Sequence, residues 1–425
     1  MREEKKKILK NLSYLSVLQV GNYVIPFLLI PYLIKVLGVE YFGLVSFMQA
    51  IMINLSVVTD YGFNISTISH VSLNRDNKPF LRKLYSEVFF TKLLLFVPCL
   101  LVLALFILFV PKCSVHPYVT LVSFMIVIGN TLLPIWLFQG MEQMKFTTIF
   151  TLTSKLIFAL LTVFFVHKPQ DFFWVMILQG VGGLLATLAA IYFIKVKWGI
   201  GVNIATGING IKKQLKESWH YFISNASIAL YTNTSVIVLG LFAPDKIVGL
   251  YSIAEKIMQT IRVLLSVYIQ AVYAHVCLLI YQGKENIILF FKKMYLPFLI
   301  AIVFLSVLIF SLAPFIASLL TRENKNELVT YIRILIFVPP IVCMNIPFNL
   351  IILAKNWKNE YARILLFAAI LLLFTSLSST YYFGALGTCI SMLFVEVVAT
   401  ALLCRLVYNK NVNAFKINNV LNQKQ

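Results

Sequence analysis

A run of about 20 apolar residues is long enough to cross a bilayer as a helix. Twelve such runs follow one another in this chain, at approximately 12–36, 42–70, 87–110, 117–139, 146–166, 172–194, 218–242, 248–280, 294–318, 329–353, 362–382 and 384–407. In hydrocarbon every backbone N–H and C=O must find its partner inside the chain, which leaves only helices or a closed barrel. Continuous apolar stretches of this length read as helices. The expected fold is an all-α polytopic membrane protein of twelve transmembrane helices. Charged residues make up 12% of the chain, against about 25% in soluble domains, so no sizeable soluble domain is expected.

The net charge of +20 invites a nucleic-acid partner. Its distribution argues against one, because the basic residues sit in short clusters between apolar runs and form no basic domain. The opening MREEKKKILKN precedes an apolar run that contains Pro26 and Pro31 and no small-residue cleavage site, so it reads as a retained first span rather than a signal peptide. Of the 36 Lys and Arg, 25 fall before the first span, in or at the edge of alternate connections after it, and at or beyond the end of the last span. The opposite connections hold only six: Lys35, Lys112, Lys168, Lys246, Arg322 and Lys325. Under the positive-inside rule both termini are cytoplasmic.

A faint repeat runs through the chain. Gly43 aligned with Gly249 sets GLVSFMQAIM beside GLYSIAEKIM, and Pro134 then corresponds roughly to Pro347. Six spans per half preserve orientation, so the expectation is two parallel six-helix bundles, residues 1–194 and 218–425, with a substrate path between them. Residues 195–217, with Gly199, Gly201, Gly207 and Gly210, read as a cytoplasmic linker that carries a short amphipathic segment at 208–215.

The stretch FAPDKIVGLYSIAEKIMQTIRVLLSVYIQ, residues 242–270, is apolar enough to span, yet Glu255, Gln259, Arg262, Ser266 and Gln270 recur at steps of three or four with Lys256 adjoining them. That spacing puts them on one helical face. A mid-membrane Arg or Lys costs roughly 2.5–3.5 kcal/mol unless it meets a partner or a wet cavity. Lys155 and Arg333 are similarly deep. Together these cations could attract a phosphate or a sugar carboxylate, or could pair with Asp60, Glu255 or Glu396 and only stabilise the bundle. Span 1 carries the polar line Ser16, Gln19 and Asn22 ahead of Pro26, and span 2 carries Asp60 and Asn64 within TDYGFNIS. Their amides suit a sugar, or equally the hydrogen bonding that holds membrane helices together. Gln139 and Glu142 stand at the end of span 4. No CxxC, HExxH or GxxxxGK[ST] occurs, so no metal, redox or ATP chemistry is expected.

The motifs YLSVLQVGNYVIPFLLIPYLIKVLGVEYFGLVSF, DYGFNIS, WLFQGMEQMK and GLYSIAEKI resemble the Wzx-type O-antigen flippases. These form the polysaccharide-transporter branch of the MATE-like MOP flippase superfamily. The resemblance implies a non-enzymatic transporter with two six-helix bundles around a cation-lined cavity. It would move undecaprenyl-diphosphate-linked O-antigen oligosaccharide units from the cytoplasmic to the periplasmic leaflet of the bacterial inner membrane by alternating access. It also implies membrane lipid and other O-antigen assembly proteins as partners. The likeness supports Asp60, Tyr61, Gly62, Gln139, Gly140, Glu142, Glu255 and Lys256 as motif positions, whereas Lys155, Arg262 and Arg333 rest on charge placement alone. No cofactor is expected beyond a coupling proton or sodium ion, which would sit at Asp60 or Glu255. The rivals are a drug/cation antiporter of the same superfamily, which would want acidic binding residues, a polymerase or ligase of O-antigen assembly, which would want a large periplasmic loop, and a lipid II flippase, which would want two more spans.

Overall fold

The computed structural model describes residues 2–203, 207–282, 284–321 and 324–422. Arg322 and the side chain of Ser16 lie outside the described set. No strand occurs among the described residues. Helix α1 (Arg2–Asp60) bends at Gly38, whose φ of 74° few residues but glycine adopt. After a turn at Tyr61 and Gly62 come α2 (Phe63–Leu73), α3 (Lys78–Phe109), α4 (Phe124–Leu132), α5 (Ile135–Gly140), α6 (Met144–Phe165) and α7 (Phe172–Phe193). They are followed by α8 (Ile208–Phe242), α9 (Asp245–Gln282), α10 (Leu296–Leu320), α11 (Lys325–Leu335), α12 (Val338–Met344), α13 (Ile346–Ala354) and α14 (Lys358–Asn422), the last bent at Gly384.

Nine described helical stretches are long and apolar enough to cross a membrane. Two of them, Val17–Leu73 and Asn359–Lys410, contain the bends at Gly38 and Gly384. Each therefore supplies two arms. Helix α9 is 38 residues long and carries Glu255, Lys256 and Arg262 within it. Counted with it, the stretches accommodate the twelve expected spans. Their outer faces are apolar, with Leu108 72% and Phe109 77% exposed, as lipid contact requires.

Three expected spans prove discontinuous, and each break has a local cause. The second stops at Asp60 because Tyr61 (φ 48°) and Gly62 (φ 78°) turn left-handed. The fourth parts at Leu133–Pro134. The tenth divides into α11, α12 and α13, with Pro339, Pro340 and Pro347 each near a helix start, where a missing N–H costs least. The expected linker is also shorter. The chain stays helical to Trp198, and the segment at 208–215 forms the first turns of α8.

The chain divides into two compact units, residues 1–249 and 250–425. In the first, α8 packs on α1 and α3, so the seventh span belongs by packing with the first six. The partition at 194 and 218 rests on the sequence repeat alone. In that first unit the repeat-aligned glycines meet. A Cβ on Gly43 would lie 2.0 Å from the Asp245 carbonyl oxygen, and one on Gly249 would lie 2.0 Å from that of Val39. Each glycine thus abuts the carbonyl four residues before the other, the reciprocal pattern of two segments crossing at a local twofold.

Candidate functional site

In the first unit several polar residues are bound to one another and to backbone that proline or a helix end has freed. Lys92, 2% exposed in the middle of α3, donates to the Asp60 carboxylate at 3.1 Å and to the Thr131 carbonyl at 2.7 Å. The Thr131 carbonyl is open because the helix breaks before Pro134 and the Ile135 N–H turns instead to Leu133 O. Asn64 donates to the same Asp60 oxygen at 2.9 Å, and the Thr59 and Thr131 hydroxyls meet at 2.7 Å. One ammonium therefore ties together the end of α1, α3 and the broken fourth span.

Lys155 repeats the device. Its Nζ donates to the Asn22 carbonyl at 2.9 Å. Pro26, four residues on, has no N–H to give that carbonyl, so α6 supplies a donor that α1 lacks. Asn22 Oδ1 is buried with no hydrogen-bond partner among the described residues, and Gln19 is half-buried one turn away. Changing Lys155 to Met should cost about 1–3 kcal/mol by stranding this carbonyl, but little in a Pro26→Ala chain, where the residue 26 N–H returns. Thermal unfolding of the four chains checks this, and an equal loss of stability in both backgrounds would show that Lys155 does not answer the carbonyl that Pro26 frees.

At the end of the fourth span, Glu142 (φ 56°) accepts from Arg75 Nη2 at 2.5 Å while Arg75 Nε holds the Gly140 carbonyl at 2.9 Å. Gly140 packs on α2, where a Cβ would come 2.5 Å from the Val71 Cβ. Gln139 is half-buried beside them. The QGMEQ motif thus fastens a helix end.

In the second unit Glu255 is buried, and Lys256 and Gln259 are half-buried. Two turns on, Arg262 Nη2 donates to Glu396 Oε1 at 2.8 Å, and that carboxylate is 2% exposed. The polar face expected on α9 exists, and part of it is answered by the second arm of α14. Arg333 lies on α11, with its guanidinium 4.9 Å from the Phe310 ring centre and its buried Nε lacking a hydrogen-bond partner among the described residues. The proline device recurs here too. The Tyr295 hydroxyl donates at 3.1 Å to the Cys343 carbonyl, four residues before Pro347. The preceding span thus caps a break at Pro134 in one half and at Pro347 in the other, which adds support to the internal repeat.

Of the twelve expected site residues, the structure joins Asp60 to Asn64 and Lys155 to Asn22. Glu142 and Arg262 are paired with Arg75 and Glu396, outside the expected set. Lys92, inside the third apolar run, stands outside the expected set because its partners lie far away in sequence. Among the described residues no group of three His, Cys, Asp or Glu side chains could hold a metal ion.

Comparison with known proteins follows the same line. A family model described as polysaccharide biosynthesis protein matches residues 8–273. A protein of Escherichia coli strain K12 named "Putative O-antigen transporter" is 29% identical over 411 residues, spanning 96% of this chain and 99% of that one. A Shigella dysenteriae protein of the same name is 28% identical over 400 residues, spanning 94% and 99%. Among solved structures, the inward-facing conformation of a multidrug resistance MATE family transporter of the MOP superfamily superposes with a TM-score of 0.72 at 13% identity, covering 96% of this chain and 99% of that one. A eukaryotic MATE transporter gives 0.60 at 12% identity, covering 94% and 95%. At such identity the structures establish the fold, which is MATE-like. The resemblance read from the motifs therefore holds at the level of family and fold, and this multi-pass helical chain is a membrane transporter, not an enzyme, that belongs to the polysaccharide biosynthesis protein family.

Proposed function

We propose that this transporter flips undecaprenyl-diphosphate-linked O-antigen oligosaccharide units from the cytoplasmic to the periplasmic leaflet of a bacterial inner membrane, by alternating access and with both termini in the cytoplasm. The observation that carries the reading is the pair of relatives named for O-antigen transport, which match along nearly their whole length. The 25-to-6 asymmetry of basic residues supports the orientation. Physical chemistry supports the task, because a diphosphate and its sugars cannot be desolvated in hydrocarbon and need a polar detour.

Gln19, Asn22, Asn64, Gln139 and Gln259 would offer uncharged donors and acceptors to sugar. Lys155, Lys256, Arg262 and Arg333 would offer charge to the diphosphate. Several of these groups already hold a carbonyl or a carboxylate, and we read those bonds as ones that keep the charges in the membrane between cargo visits. Asp60 and Glu142 are held by Lys92 and Arg75, so the buried Glu255 is the better seat for a coupling proton or sodium ion.

Deletion of the gene tests the reading against its rivals. The expected result is loss of all surface O-antigen with lipid-linked units retained inside. Surface display of single unpolymerised units would mark a polymerase. Unchanged O-antigen with raised drug sensitivity would mark an antiporter.

A further inference from the structure

Away from the residues discussed so far, a cavity of about 690 Å³ opens between the start of α3 and the start of α8, lined by Arg82, Lys83, Glu87, Asn209, Gly210 and Lys213 among others. Its floor is rigid. Glu87, 6% exposed, accepts from Gln214 Nε2 at 2.9 Å, and Gly210 sits so close that a Cβ there would meet Glu87 Oε1 at 2.7 Å. Arg82 spends its Nε on the Gly199 carbonyl at 2.7 Å, which fixes the guanidinium at the rim. Lys83 and Lys213 are exposed, and Lys213 approaches Glu217 at 3.9 Å, a surface contact worth little.

Three cations against one acid leave the lining with a surplus of two positive charges. The 35-residue α8 adds its N-terminus, where Gly207 provides no side-chain cap for the first-turn N–H groups. The apolar run of α3 begins at Val88. Arg82 and Lys83 therefore stand roughly 8–9 Å outside it along the helix, at the depth of lipid headgroups.

We propose that this cavity is a binding site for a phosphate-bearing lipid headgroup at the membrane surface. Two sources share that chemistry: the diphosphate of the lipid-linked cargo, held before it enters the transporter, and the phosphodiester of an anionic phospholipid. The cytoplasmic placement rests on the orientation proposed above, whereas the binding itself does not.

The test uses the purified full-length chain in detergent and native mass spectrometry with three probes: undecaprenyl diphosphate, phosphatidylglycerol and zwitterionic phosphatidylethanolamine. The comparison is between the wild type and a Lys83→Ala/Lys213→Ala double variant, whose exposed positions leave the unfolding temperature unchanged. Removing two headgroup-level cations should weaken the anionic probes roughly tenfold or more, with phosphatidylethanolamine unaffected. Loss confined to undecaprenyl diphosphate identifies the cargo as the occupant, and loss of both anionic probes identifies a general headgroup site. Equal binding of every probe by wild type and variant overturns the proposal, whatever the outcome of the deletion experiment.

Discussion

Changing Lys92 to Met is expected to destabilise the protein by about 3–5 kcal/mol, the usual result of removing one partner from a buried ion pair. The lysine side chain is 3% exposed and that of Asp60 18%, so little water is at hand to replace the lost ammonium. Without it, among the described residues, the Asp60 carboxylate keeps Asn64 as its one donor, and the Thr131 carbonyl at the Pro134 break has none. Converting Asp60 to Asn in the same chain should recover a large part of the loss, because the isolated charge goes with it. Thermal unfolding in detergent measures both variants. A Lys92→Met chain as stable as the wild type would show that this pair contributes nothing to stability.

The crossing at Gly43 and Gly249 should be almost as sensitive. An alanine at either position places a Cβ 2.0 Å from a carbonyl oxygen of a facing helix. Backbone cannot yield as a flexible side chain does, so the helices must separate, at about 1–3 kcal/mol for overpacking of this kind. Both substitutions strain one contact. Once the first has forced the helices apart the second should cost much less, and the double variant should fall short of the sum of the singles. Additive losses would mean that the two glycines serve separate contacts. Loss of surface O-antigen in the single variants would tie the crossing to transport.

The all-helical, multi-pass character of the chain was legible because length and hydropathy alone decide what can cross a bilayer. The bends were partly legible, since Pro134, Pro347 and Gly62 are visible punctuation. What the sequence withheld is who answers the backbone they free. Pro26 and Lys155 can both be read from the sequence, one as a kink and the other as a buried cation, yet nothing local says that the second mends the first. The periodicity of α9 likewise puts Glu255, Gln259 and Arg262 on one face. That Glu396 meets Arg262 is a tertiary fact, settled by packing against α14. The same pattern of donors from distant helices explains why so apolar a chain tolerates deep charge: much of it is spent on the chain's own carbonyls and carboxylates.

The measurement that bears most directly on the account is the leaflet in which undecaprenyl-diphosphate-linked oligosaccharide resides after the transporter is depleted, read by accessibility of its sugars to a lectin added from the periplasmic side. Retention on the cytoplasmic side, reversed when the chain is expressed again, is the predicted result. Arrival at the periplasmic leaflet at the undepleted rate would contradict it.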